Sequence, residues 1–442
     1  RYAGGPAKVA VVSSALCGMV SGSSVGNTVT TGSITIPMMK KTGYDKNFSG
    51  AVEAAASTGG QIMPPIMGAA AFLMADYLGV PYSDIIVRAI LPACLYFLGV
   101  FLSVHLEAKR LGLKGLSKEQ LPRIKELLKE SYLLLPLAIL IYLVCSNTKT
   151  MQFSAAVSIL ATIVVGIISN IHRNIRHGKP LETGEGTTNR RFKPIHIFEA
   201  LENGGKGCIS IAVACGVAGL ICGCLTVTGL ASTVINSIVI VSQGKLFLGM
   251  LLTMICCIIL GMGLPTTATY CIMASTCAPI LIQMGVPMVC AHFFVFYYGI
   301  VADITPPVAL AAYAGSAISG GSPMKTGVNA TRLAIAGFII PFIFCMSPDM
   351  LLVNTTWYEV VLITVTAIIG MYGVTFGLSG FSRFEKEGRN HMVGIILRII
   401  SIAGGLLLIY PGIVNDIIGV VLVGGTMLFR KIENSKQTPV TE

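Results

Sequence analysis

SGSSVGNT (Ser21–Thr28) interrupts one apolar stretch with glycine and short oxygen-bearing side chains, and QIMPP (Gln61–Pro65) interrupts the next with a proline pair. The same order returns as GLPTTATY (Gly263–Tyr270) and DITPP (Asp303–Pro307). Pro37 and Pro279, Pro64 and Pro306, and Pro65 and Pro307 are each 242 residues apart. Two related halves, with helices broken at matching places, are how many secondary transporters build a binding site near the bilayer midplane. The pattern predicts an all-α polytopic membrane protein with two re-entrant helical hairpins and broken transmembrane helices.

Composition supports that class. Of 442 residues, 54% are apolar and 12% charged, with a mean hydropathy of +0.78, outside the range of an ordinary soluble domain. Apolar runs such as Phe153–Ile168, Ile209–Leu230, Leu246–Ile259, Val360–Tyr372 and Ile395–Ile409 are continuous rather than alternating, which excludes a β-barrel. The net charge of +11 does not indicate a nucleic-acid partner, because the basic residues gather in loops between spans rather than on one soluble face. Most of the 13 cysteines are embedded in apolar runs, where they act as small hydrophobes. His105, His172, His177, His196, His292 and His391 form no cluster of the kind an enzyme needs. His292, beside Phe293 and Phe294, reads as a buried structural histidine.

Charge bias sets an expected orientation. Assigning the loop Leu106–Glu130 to the cytoplasm leaves Arg88, Lys149 and Lys245 outside among 31 basic residues, and puts the C-terminus inside. Val9–Met39 and Leu246–Met284 then enter and leave by the same face, as re-entrant hairpins or as ordinary double spans, which charge alone does not separate; the breaks near their middles favour hairpins. The first hairpin opens to the cytoplasm and the second to the exterior, so the repeat is inverted. Leu111–Lys129 can be an amphipathic surface helix in contact with lipid or a solvated linker; Thr183–Arg191 is the linker between halves. Residues 1–104 and 207–346 are the two transport halves. Residues 105–206 hold the amphipathic segment, two scaffold spans and the linker, 347–432 additional spans, and 433–442 a disordered cytoplasmic tail. The chain begins at Arg1 without a start methionine, and its first half is expected to lack opening elements present in the second.

Helix ends at membrane depth offer N–H groups to an anion at one terminus and carbonyls to a cation at the other. Ser21, Gly22, Ser23, Ser24 and Asn27 in the first hairpin, and Gly261, Gly263, Pro265, Thr266 and Thr267 in the second, are the candidate tips. Gly60, Gln61 and Pro64 precede or form one break; Asp303, Thr305 and Pro306 form the other. Ser21, Gly22, Asn27, Gly60, Gly261, Gly263, Thr266 and Asp303 are candidates for sodium. Ser23, Ser24, Asn27, Gln61, Pro64, Pro265, Thr266, Thr267, Thr305 and Pro306 are candidates for substrate. Taken singly, each hydroxyl can instead pack or bond back to its own helix. Asp303, expensive at that depth, can bind sodium, take a proton or cap a broken helix. Glu53, among small residues, is expected near one edge of its span, in a structural pairing or a coupling role.

GMVSGSSVGNTVTTGSITIPMMKKTGY (Gly18–Tyr44) with GGQIMPP resembles the first hairpin region of the large membrane subunit of TRAP transporters, and GMGLPTTATY with VADITPP is similar to the second. The resemblance covers about Gly4–Met346 and is strongest to fused, DctM-like permeases of the TAXI type, of which this chain is then the C-terminal portion. It implies an elevator-type, sodium-coupled symporter of small organic anions, dicarboxylates or amino acids such as 2-oxoglutarate or glutamate. It further implies a bacterial or archaeal inner-membrane location, a periplasmic TAXI-type substrate-binding protein and a small DctQ-like membrane domain fused upstream. Sodium is the coupling ion, with no organic cofactor and no enzyme activity. The alternative is a sodium/dicarboxylate or citrate symporter that needs no binding protein.

Overall fold

The computed structural model describes residues 4–113, 131–146, 150–177, 194–353, 355–379, 391–409 and 412–436. The linker, all but the start of the amphipathic stretch, and the chain end beyond 436 lie outside them. The described residues are helical, with no strand among them. The first half begins with α1 (Gly5–Ser21), α2 (Ser24–Lys41), α3 (Lys46–Gly60), α4 (Ala69–Leu78) and α5 (Tyr82–Arg110). Next come α6 (Leu135–Cys145), α7 (Met151–His177), α8 (Pro194–Val227) and α9 (Leu230–Val241). The second half is α10 (Leu246–Gly261), α11 (Thr266–Thr276), α12 (Ala278–Gln283), α13 (Met288–Val301), α14 (Leu310–Ser319), α15 (Pro323–Leu333) and α16 (Ile335–Met346). It is followed by α17 (Trp357–Ser379), α18 (His391–Leu407) and α19 (Ile413–Lys436).

The 242-residue offset governs whole helices. It carries Ser24–Lys41 onto 266–283, the combined extent of α11 and α12, and Lys46 onto Met288, the start of α13. Both proline pairs are cis, and Met67 and Ala309, also 242 apart, share a positive φ at the end of each break. The halves differ at the matched prolines. Pro37 stays inside α2, whereas the chain before Pro279 breaks at Cys277 into α11 and α12.

Among the described residues, four helices are long and apolar enough to cross a membrane: Tyr82–Arg110, Gln152–Ser169, Pro323–Met346 and Trp357–Ser379. Cys215–Val227 and Ser232–Val241, bent by 69°, make a fifth as a pair. The chain is thus a multi-pass membrane protein. By contrast α1, of 17 residues, and α10, of 16, span about 25 Å at 1.5 Å per residue, short of a hydrocarbon core of about 30 Å.

Each of these short helices folds back on its successor. Asn27 Nδ2 donates to the Ser14 carbonyl at 2.9 Å, although 13 residues of continuous helix would hold them about 20 Å apart. The reversal sits at Gly22, left-handed at φ +62°, and Ser23, whose Oγ accepts from the Gly26 N–H and caps α2. Cys256 and Cys277 likewise meet at 3.8 Å between sulfurs across the second reversal.

Helix α3 is the hub. Asp45 caps its start by accepting from the Asn47 and Phe48 N–H groups, and its run of Gly, Ala and Ser lets backbones approach closely. A Cβ on Gly60 would stand 2.5 Å from the Gly18 Cα of α1, and one on Gly50 2.8 Å from the Gly315 carbonyl of α14. Aromatic packing dominates the second half, where Phe293, Phe294, Tyr297 and Tyr298 of α13 are fully buried with Phe344 of α16.

Candidate functional site

The two breaks and the two hairpin tips meet in a crossed arrangement. Ser24, in the first turn of α2, donates to Asp303 Oδ2 at 2.5 Å, and Asp303 belongs to the break of the other half. Thr266, in the first turn of α11, donates to Gln61 Oε1 at 2.6 Å, and Gln61 belongs to the break of the first half. Ser24 and Thr266 are 242 residues apart, as are Gln61 and Asp303. The two hydrogen bonds are therefore one interaction made twice across a pseudo-twofold relation. Ser24, Gln61 and Asp303 are buried, and Thr266 is half-buried.

Each tip also leans on the break of its own half. A Cβ on Gly22 would meet the Gly68 Cα at 2.7 Å, and one on Gly261 would meet the Ala302 Cβ at 2.9 Å. Gly22 is required by the approach itself, since the Gly68 backbone cannot yield as a flexible side chain does, and the Ala302 Cβ, fixed to its own backbone, leaves Gly261 little more room. The breaks have further partners. The Tyr82 hydroxyl reaches the carbonyls of Pro65 at 2.8 Å and Ile66 at 2.6 Å, while Tyr313 reaches that of Pro307. Thr331 of α15 holds the Ile304 carbonyl at 3.0 Å.

Chemically the crossing is asymmetric: a carboxylate stands on one side and a carboxamide at the equivalent place. Asp303 faces Gln61, whose buried Nε2 is turned toward the Asp303 carboxyl group without a hydrogen bond of full geometry. A buried amide nitrogen without a well-formed hydrogen bond costs free energy, and this one can donate to Asp303 or to a ligand held beside it. The carboxylate and the hydroxyl and amide oxygens form a hard-oxygen donor set suited to a small cation. The first-turn N–H groups of α11, and those of α2 other than the capped Gly26 N–H, lack intrahelical partners and suit an anion beside it.

The other candidate residues hold local structural positions. Ser23 is the α2 cap, and Ser21 bonds back to the Gly18 carbonyl. Gly60 ends α3, Gly263 turns at φ +76°, and Pro265 precedes α11. Pro64 and Pro306 are half-buried in their cis pairs, and Thr305 bonds back to Val301. Thr267 is half-buried at the second tip. Asn27 is set apart from the crossing. Its Nδ2 is directed between the hairpin arms, to the Ser14 carbonyl, Ser14 Oγ and Ser57 Oγ at 2.9–3.1 Å.

Behind Asn27 lies a polar cluster that sequence reasoning did not assemble. Glu53, expected near one edge, is instead two turns inside α3 and 0% exposed, because α3 starts at Lys46 and is wrapped by α1, α2 and α14. Thr31, Thr35 and Ser57 all contact its carboxyl group. A signal was present: Thr31 and Thr35, and Glu53 and Ser57, are i, i+4 pairs that align one polar stripe on each helix. His292 is buried as expected and bonds Tyr270 at 2.8 Å.

Residues 1–358 match the family model described as the tripartite ATP-independent periplasmic transporter, DctM component. A protein of Sinorhizobium fredii, described as uncharacterized protein y4mL, is 36% identical over 95 residues, 22% of this chain and 22% of that one. The matched segment therefore spans about a fifth of that relative's length.

Proposed function

The chain belongs to the DctM family, a family of transporter components and not of enzymes, and on that premise we propose that it imports small organic anions by sodium-coupled secondary transport. Its substrate is a dicarboxylate or amino acid such as 2-oxoglutarate or glutamate, delivered by a periplasmic binding protein of the TAXI type. A small DctQ-like domain completes the scaffold, and the hairpin-bearing halves move as an elevator in the inner membrane. The observation that carries this reading is the reciprocal pair Ser24–Asp303 and Thr266–Gln61.

Sodium is cargo here, and the donor set fits it. Asp303 supplies the charge, with Ser24, Thr266 and Gln61 adding neutral oxygens. The Gln61 amide nitrogen and the N-termini of α2 and α11 then hold a substrate carboxylate against the cation, so each ligand screens the other. Because each tip is bonded to the break of the opposite half, ligand binding between them is felt by both halves at once. A dianion needs more than two sodium ions before a negative interior assists its entry, each net charge contributing about 2.3 kcal/mol per 100 mV.

The test is uptake of labelled 2-oxoglutarate and glutamate into proteoliposomes, with and without an inward sodium gradient and a purified binding protein. Uptake that needs both supports the proposal. Uptake indifferent to the binding protein favours a stand-alone symporter, and uptake indifferent to sodium removes the assignment at Asp303.

A further inference from the structure

Glu53 lies outside the crossing, and its surroundings specify one ligand. We propose that Glu53 is a proton-binding site, and that the bound proton holds the first hairpin closed on α3. The inference stands on this cluster alone and not on the identity of any transported solute.

Glu53 is 0% exposed, so its carboxyl group is shut off from bulk water. Thr31 and Thr35 of α2 and Ser57 of α3 are its hydrogen-bonding neighbours, and Ser14 of α1 closes the far side through Ser57 at 2.9 Å. Gly32 opens the niche: a Cβ there would stand 3.0 Å from Glu53 Cγ. Cations on the packed helices are engaged elsewhere or lie beyond contact. Lys8 of α1 bonds His105 of α5, Lys40 of α2 bonds the Ser319 carbonyl of α14, and Arg332 of α15 bonds the Leu378 carbonyl of α17. The titratable neighbour is the Cys17 thiol of α1, which is neutral in its ordinary state. A carboxylate sealed from water with no counter-charge takes up a proton.

The surrounding hydroxyls can also be arranged to serve a protonated carboxyl group. Thr31 Oγ1 lies 2.7 Å from the Asn27 carbonyl and Thr35 Oγ1 3.0 Å from the Thr31 carbonyl, while each also contacts the Glu53 carboxyl group. Four oxygen–oxygen contacts thus share two hydroxyl protons. A proton on Glu53 Oε2 donates to Thr35, which then donates to the Thr31 carbonyl, leaving Oε1 to accept from Thr31 or Ser57. Hydrogen-bond spacing between these oxygens suits a proton and leaves no room for a sodium ion among them. Loss of the proton sets unshared lone pairs against one another where α2 meets α3, and the hairpin arm loosens.

Two measurements test this on the intact protein in lipid. Infrared spectra of wild type labelled with ¹³C-carboxyl glutamate, and of Glu53→Gln, should show at neutral pH an isotope-sensitive protonated-acid carbonyl band that is lost in the variant. The substituted amide preserves the neutral donor–acceptor pattern, and Glu53→Asp, whose acid band would lack the glutamate isotope shift, carries the site assignment if the amide variant folds poorly. Amide exchange across residues 24–41 should be slow at low pH in both proteins. As pH rises, wild-type opening should increase about tenfold per pH unit beyond the intrinsic exchange rate, as release of one proton requires, while Glu53→Gln stays flat. A carboxylate band in place of the acid band, equal pH dependence in the two proteins, or closure restored by sodium at fixed high pH would each overturn the proposal.

Discussion

Replacing Ser24 and Thr266 in parallel should reveal how differently the two halves of one symmetric contact are worth. Both hydroxyls occupy the first turn of a hairpin helix and both bond the opposite break, but Ser24 meets a carboxylate and Thr266 a neutral amide. Hydrogen bonds to charged groups contribute about 1.5–3 kcal/mol and neutral ones about 0.5–1.5 kcal/mol. At 1.4 kcal/mol per factor of ten, the Ser24–Asp303 pair should couple by roughly 10- to 150-fold and the Thr266–Gln61 pair by roughly 2- to 12-fold. Two double-mutant cycles in mixed micelles, Ser24→Ala with Asp303→Asn and Thr266→Val with Gln61→Leu, measure these coupling energies by equilibrium unfolding. Distant sites add to within about 0.3–0.5 kcal/mol, so the larger coupling lies well outside that margin. A Ser24–Asp303 coupling below about 0.5 kcal/mol, or equal couplings in both cycles, would refute the reasoning.

Asp303→Asn should also abolish sodium-dependent thermal stabilisation while leaving the fold intact, since the amide keeps the shape and removes the charge; a shift equal to wild type over a sodium titration would contradict it. Gly60→Ala places a methyl 2.5 Å from the Gly18 Cα, where only backbone could give way, and should cost about 1–3 kcal/mol or more by the same unfolding assay. Tyr270→Phe should destabilise by about 1–3 kcal/mol by orphaning buried His292, and the double change with His292→Phe should recover most of it.

Local rules made much of this architecture legible. Proline cannot donate to a helix and glycine turns where other residues strain, so the breaks at Pro64–Pro65, Gly22 and Gly263 are written in residue type alone. The 242-residue offset needed only the sequence, because equivalent positions in a repeat keep equivalent chemistry. The class of membrane protein followed from runs of apolar residues too long and too continuous for any other solvent.

Which break each tip would meet was not legible. Ser24 reaches Asp303 across 279 residues and Thr266 reaches Gln61 across 205, and pairings at such separation depend on how the two halves pack, not on any pattern along the chain. Glu53 shows the same limit. Its helix could be drawn from sequence, but its complete burial arises because α1, α2 and α14 all press on α3 through glycine contacts that backbone geometry alone reveals. The sequence by itself determined where helices end and which residues are equivalent, since those follow from covalent structure. Tertiary packing decided which equivalents touch and which acid lost its water, since burial is a property of neighbours.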